Sequence, residues 1–265
     1  MRVWAVANQK GGVGKTTSTV TLGGILADWG FRVLMVDMDP HGSMTSYFRY
    51  DPDSMEESVY SLFQANAEKR RINTANLLCE TGTDNLMLLP ASLAQATLDR
   101  QAGKLNGMGL ILKAGISQLK DEFDYVLIDC PPLLGVLLIN ALAACDKLLV
   151  PVQTEFLALK GLERMLHTLQ MVLKARKREL PYLVVPTMFD QRTKASQESL
   201  RALRENYRDN LWNGMIPVDT KFREASRAGI PAPVYAPRSR GVLAYTGLLE
   251  HLLSEVGEMP KRQAG

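Results

Sequence analysis

Apolar residues follow two rhythms along this chain. Short runs dense in Val, Ile and Leu, continuous enough for burial on both faces, alternate with longer segments whose apolar positions recur every three to four residues. The short runs predict seven strands: Val3–Ala7, Arg32–Asp37, Asn85–Leu89, Tyr125–Asp129, Lys147–Val152, Tyr182–Thr187 and Leu211–Ile216. The longer segments predict helices over Lys15–Trp29, Met108–Glu122, Glu155–Arg178, Ser196–Tyr207 and Leu243–Val256. Strand and helix in alternation predict an α/β fold: a doubly wound, mainly parallel sheet of about seven strands flanked by helices. The segment from Asp51 to Asn76 is polar and weakly periodic, and reads as a helical excursion at the sheet's edge. No Pro/Gly/Ser-rich linker, repeat or low-complexity tract interrupts the pattern, which predicts one domain over residues 1–265.

Composition excludes several classes. A chain of 265 residues, 46% hydrophobic and 22% charged, has enough apolar surface for a sizeable core and is neither disordered nor fibrous. No apolar run approaches the ~20 residues that span a bilayer, and Arg2–Ala7 reads as a strand, not as a leader; the expected location is cytoplasmic. Cys79, Cys130 and Cys145 are odd in number and too widely spaced for a CxxC site, so they are expected to be reduced and buried.

The net charge of +3 points to no partner, but its distribution is uneven. Residues 1–132 carry 12 Lys and Arg against 15 Asp and Glu, and residues 133–265 carry 19 against 13. Arg201, Arg204 and Arg208 recur at helical spacing, followed by Arg223, Arg227, Arg238 and Arg240. Such a stripe suits phosphates, or forms a solvated face paired with Glu198 and Glu205.

Candidate chemistry begins between the first strand and the first helix, at Lys10-Gly11-Gly12-Val13-Gly14-Lys15-Thr16-Thr17. Glycines let the backbone wrap so that successive N–H groups point at phosphate oxygens, and the helix adds its positive end. Here Lys15 is expected to reach the β- and γ-phosphates, Thr16 to ligate Mg²⁺, and Thr17 to hold the α-phosphate. The ligands implied are ATP and Mg²⁺ on a P-loop NTPase. Asp37 and Asp39 stand two apart at the end of the second strand, on one side of the sheet and facing this loop. Asp129 ends the strand Tyr125–Asp129 before Cys130-Pro131-Pro132, in the manner of a Walker B aspartate that holds Mg²⁺ through water, with the Pro-Pro turn as a switch.

The loop departs from the general G-x-x-x-x-G-K-[ST] pattern, because Gln9 takes the leading glycine's place. Its form KGGVGKTT, with the extra Lys10, resembles the signature of the ParA/MinD superfamily of deviant Walker A ATPases. That resemblance implies an ATP-sandwich homodimer in which Lys10 reaches the partner's nucleotide, doing in trans what an arginine finger does. It also implies weak hydrolysis stimulated by a cargo or adaptor protein. Position by position, it makes Asp39 the water-orienting carboxylate, counted also with Thr16 and Asp129 at the metal, and Asp37 a supporting one. His41 replaces the family's usual Gln. The segments Pro186–Thr193 and Ile216–Ala225 look like family segments too, implying adenine contacts at Pro217 and Asp219 with Met188 stacking nearby. Lys221 matches a DNA-contacting arginine, and Arg192 and Arg223 join it as candidate DNA contacts.

The chain's end decides against a membrane partner: Leu248, Leu249, Leu252, Leu253 and Val256 form an apolar stripe, but Glu250, Glu255 and Glu258 make its other side acidic, as in a core-packing helix. The expected docking surface is therefore nonspecific DNA. The opening MRVWAVANQKGGVGKTT and the DPHGSMTSYF stretch resemble ParA-like ATPases that position chemotaxis arrays, the ParC type; this implies nucleoid-associated or polar localisation. Chromosome or plasmid partition is the alternative. A nucleotide-switched protein-interaction module that uses no DNA is a third reading, and an amidoligase on this scaffold a fourth. If Lys221, Arg192 and Arg223 converge on one face, DNA gains; if they pair with Glu224 and Asp190, the interaction module gains.

Overall fold

The computed structural model describes residues 1–98, 108–175 and 179–258. Its strands are β1 (Arg2–Val6), β2 (Val33–Asp37), β3 (Cys79–Glu80), β4 (Leu86–Leu89), β5 (Tyr125–Asp129), β6 (Lys147–Gln153) and β7 (Tyr182–Thr187). They form one sheet in the order β3-β4-β2-β5-β1-β6-β7, parallel throughout except where β3 runs against β4. The helices are α1 (Lys15–Asp28), α2 (Ser43–Tyr47), α3 (Val59–Ala67), α4 (Ile111–Ser117), α5 (Val136–Ala144), α6 (Phe156–Ala175), α7 (Lys194–Asn206), α8 (Lys221–Ala228), α9 (Ala232–Tyr235) and α10 (Arg240–Glu255).

Strand alternation feeds two cores. From β1, Val3 and Ala5 point into one core and Trp4 and Val6 into the other, as do Val126 and Ile128 against Tyr125 and Leu127 from β5. The first core is covered by α3 to α6, the second by α1 and α10. Leu248, Leu249, Leu252 and Leu253 all lie in the second, so α10 is the core-packing helix expected, each leucine contributing roughly 1.5–3 kcal/mol of burial.

Two strand expectations are corrected. Leu211–Ile216 is not a strand: its backbone meets β7 only where Trp212 N–H donates to Val184 (3.0 Å) and Ile216 N–H to Pro186 (2.8 Å). Asn213-Gly214 intervenes, and Pro186 has no N–H to return, so the ladder does not propagate. The seventh strand is instead β3, two residues long, turned back onto β4 through Thr81–Asn85, with Gly82 and Asn85 at positive φ. The predicted helix Met108–Glu122 contracts to α4, entered through a 3-10 turn over Met108–Leu110, with the Asn140 carboxamide accepting from Leu112 N–H (3.2 Å). Residues 176–178, the predicted end of the long helix at Glu155, lie outside the described residues.

Candidate nucleotide site

The carboxyl ends of β1, β2 and β5 lie side by side, with Val6 and Asp37 both in register with Asp129, and the loops that follow make one cleft of about 480 Å³. The loop from β1 to α1 is held open by its backbone: Gly12 has φ 72° and Gly14 φ 94°. A Cβ placed on Gly11, Gly12 or Gly14 would meet nothing within 4 Å, so the inner wall is bare peptide facing space. Polar side chains pin the loop from behind. The Asn8 amide donates to the Pro151 carbonyl (2.8 Å) while its oxygen accepts from Lys10 N–H (2.9 Å), and the Thr187 hydroxyl donates to the Val13 carbonyl (2.9 Å). Lys15 is nearly buried, yet its ammonium makes one long hydrogen bond among the described residues, 3.4 Å to the Lys10 carbonyl.

Opposite stands Asp129. Its Oδ2 accepts from the Thr16 hydroxyl at 2.6 Å, while its Oδ1 is buried without a partner among the described residues. Burial pushes its pKa well above the ordinary carboxylate range, and the nearby charge of Asp37 adds to the shift. A buried orphan oxygen beside a threonine hydroxyl, facing a bare glycine loop and an under-satisfied ammonium, fits a phosphate-bound cation.

Asp37 and Asp39 separate in the structure. Asp37 is fully buried, and burial raises its pKa to about 6, countered by hydrogen bonds from Thr45 Oγ1 (2.7 Å) and Thr45 N–H (2.8 Å). Ala91 N–H in turn donates to Thr45 Oγ1 (2.8 Å). Asp37 thus anchors the 39–45 loop from beneath. Asp39 lines the cleft, its Oδ1 accepting from His41 N–H (3.0 Å) and lying 2.9 Å from His41 Nδ1. His41 also lines the cleft and is largely exposed.

Lys10 is turned within its own chain, where its ammonium is paired with Glu155 and lies 3.4 Å from Gln153 Oε1. Nothing in the sequence pattern pointed to Glu155, which lies just before α6. Asn8, Tyr47, Thr187 and Ser226 were likewise missed; Tyr47 and Ser226 line the cleft, and neither was singled out as a site residue, although Tyr47 lies within the DPHGSMTSYF stretch.

The candidate base contacts divide. Met188, at φ 53°, lines the phosphate-loop cleft, whereas Pro217 and Asp219 line an adjacent crevice of about 370 Å³ with Arg192 and Arg240. Both Asp219 oxygens are engaged by the chain, Oδ1 by Lys221 N–H (2.9 Å) and Oδ2 by Gly241 N–H (2.8 Å), so this carboxylate ties the starts of α8 and α10 together. The three candidate DNA contacts are exposed, but Arg192 makes a forked pair with Asp190 (2.9 and 2.7 Å) and Lys221 bonds Glu224 at 2.6 Å. That pairing is the outcome expected of an interaction module.

Residues 1–182 match the AAA domain family. The chain is 36% identical to the sporulation initiation inhibitor protein Soj of Bacillus subtilis, over 95% of this chain and 98% of that one. It is also 36% identical to the chromosome-partitioning ATPase Soj of Treponema pallidum, over 95% and 96% of the two chains. Among solved structures, it is similar to cobyrinic acid a,c-diamide synthase of Mycobacterium smegmatis with bound ATP analogue and magnesium, with a TM-score of 0.82 and 32% identity over 99% of this chain and 100% of that one. The chain therefore belongs to the ParA/MinD-type P-loop ATPases, in the branch of partition and positioning ATPases typified by Soj.

Proposed function

We propose that this protein binds ATP with Mg²⁺ in the cleft between β1, β2 and β5, dimerises across it, and uses slow, partner-stimulated hydrolysis to time its release from a surface along which a cargo is partitioned or positioned. The observation that carries the reading is the pairing of the bare glycine loop with Thr16 and the half-satisfied Asp129. In this reading residues 11–17 cradle the phosphates by backbone N–H, Lys15 neutralises them, and Thr16 and Asp129 hold the cation. When bound there, Mg²⁺ would supply neutralisation of the phosphate charge. Asp39 orients the attacking water, while Asp37 keeps the Asp39 loop in place through Thr45.

For the dimer, Lys10 would exchange Glu155 for the partner's phosphates. Support comes from exposed apolar residues beside it: Leu133 after β5 is 70% exposed, and Phe156 and Leu157 next to Glu155 are 67% and 71% exposed. The whole chain acts as one ATPase domain, its adenine side formed by Met188 with Pro217. Names carried by relatives favour partition, and a chemotaxis array remains the second cargo for the same cycle. Nucleoid DNA is the surface, contacted by Arg223 and by Arg192 and Lys221 once they are freed from exposed, solvent-screened pairs that open readily. The pairs Arg192–Asp190 and Lys221–Glu224 favour the other reading, a pole-localised protein as the surface.

Titration of Mg-ATP by calorimetry, followed by anisotropy of an arbitrary-sequence DNA duplex, tests both layers. Lys15→Ala should lose ATP binding, and unaltered affinity would remove the phosphate-loop assignment. DNA binding that requires ATP and collapses with salt supports the nucleoid surface; a silent duplex with ATP binding intact supports the protein surface. ATP turnover that depends on a corrinoid substrate would overturn both in favour of a synthetase.

A further inference from the structure

One part of the cleft wall is built by two elements distant in sequence. Tyr47, at the end of α2, and Ser226, in α8, both line the cleft. They are tied together behind it. The Tyr47 hydroxyl donates to the Ile230 carbonyl at 2.9 Å, and the Arg49 guanidinium donates to the Arg227 carbonyl in the last turn of α8. That carbonyl belongs to the group left without helical partners at a helix end, so a cation there satisfies both the hydrogen bond and the dipole.

Arg49 is the left-handed residue that closes α2 at φ 71°, its N–H donating to the Ser46 carbonyl (3.1 Å) and Tyr50 N–H to the Thr45 carbonyl (3.2 Å). One further detail shows that its contact with α8 is close. Gly229, the left-handed cap of α8 at φ 75°, is approached so tightly that a Cβ would lie 3.0 Å from Arg49 Nε and 3.3 Å from the Tyr47 carbonyl. The α2 end of this tie belongs to the loop that carries Asp39 and Ser43 into the cleft. Its α8 end belongs to a short helix bearing exposed Lys221, Arg223 and Arg227. Arg223 lies three residues before Ser226, on an adjoining part of the same helix face.

We infer that Arg49 is a positioning residue that makes α8 follow the Asp39–Ser43 loop, so that nucleotide in the cleft sets the placement of the cations on α8. This rests on the proposed nucleotide site and names how it is read at the surface. A helix of two turns moves as a unit, and its carbonyl end is held by the side chain that follows the nucleotide loop. What nucleotide does to Asp39 and Ser43 is therefore transmitted through α2 and Arg49 to α8, and on to whatever partner α8 meets.

The test is hydrogen exchange of the α8 amides in the whole protein, with Mg-ATP and without nucleotide, beside calorimetric ATP affinity. In the native protein, α8 exchange should slow severalfold on ATP binding. In Arg49→Gly that response should fall to less than half, with ATP affinity unchanged; glycine relieves the left-handed backbone, which protects folding. Arg49→Lys, which keeps a cation within reach of the Arg227 carbonyl, should restore part of the response, as a merely structural role would not require. An α8 response of full size in Arg49→Gly, or none in the native protein while ATP binds, overturns the inference and leaves the nucleotide site standing. Failure of ATP to bind the native protein overturns the nucleotide site itself.

Discussion

Asp129 concentrates the tension between folding and function at one residue. Its buried Oδ1 has no partner among the described residues, a cost of about 1–3 kcal/mol in a nucleotide-free protein, and its pKa is raised by burial. A carboxylate whose folded pKa lies above its unfolded value contributes stability in full below the unfolded value, and loses it as pH rises through the folded one. Asp129→Asn should therefore raise the thermal midpoint of the nucleotide-free protein by several degrees at pH 7.5. The advantage should shrink as pH falls and the native carboxyl protonates. Mg²⁺-dependent ATP affinity should fall in the same variant. Calorimetric scans at pH 5.5 and 7.5 check the sign, and a variant less stable than native at both would refute the assignment of a strained carboxylate. The place of Asp129 at a strand end beside the phosphate loop was legible, because an apolar run ends in Asp just before Cys-Pro-Pro. Glu155 was not: its importance lies in meeting Lys10 across the ends of β1 and β6, a contact between residues far apart in sequence.

At the scale of elements, the sheet was readable and its edges were not. Strands buried on both faces announce themselves as continuous Val, Ile and Leu, and β1, β2, β5, β6 and β7 fall where that signal is strong. Two-residue β3 has no such run, and in Leu211–Ile216 the apolar residues are interrupted by Asn213-Gly214 and the ladder does not form, because Pro186 opposite lacks a donor. Helix α5 escaped notice for a related reason: apolar almost all round, it shows no 3.6-residue period to find. Packing against α1 is the fine structure of this level. A Cβ on Gly24 would lie 2.8 Å from Pro231 Cβ and 2.9 Å from Pro233 Cγ, both held by rigid rings. Overpacking costs about 1–3 kcal/mol, while alanine in place of a helical glycine gains up to about 1. Gly24→Ala should thus lose roughly 1–2 kcal/mol in urea denaturation, and a stabilised protein would contradict the close approach of α9 to α1.

For the whole molecule, the proposed function requires a phosphate loop at one end of the sheet to govern association. The cleft opens at the carboxyl ends of the strands, where Lys10, Pro132 and the exposed Leu133 stand on loops and the exposed Phe156 and Leu157 at the start of α6. On the proposed reading this face is unfinished in a single chain, with a paired lysine to release and apolar surface to cover. The basic second half, by contrast, was only half readable: the sequence counts arginines, but whether Arg192 and Lys221 are paired depends on Asp190 and Glu224. The central claim is that ATP closes the unfinished face onto a second copy, with Lys10 as the group that crosses. Light scattering of Asp39→Ala, which should bind ATP while hydrolysing it about a hundredfold more slowly, tests this directly, with Mg-ATP, with ADP and without nucleotide, alone and combined with Lys10→Ala. The account predicts dimers only with ATP, and monomers throughout once Lys10 is removed. Monomers in every state of Asp39→Ala, or ATP-dependent dimers that persist without Lys10, would contradict it.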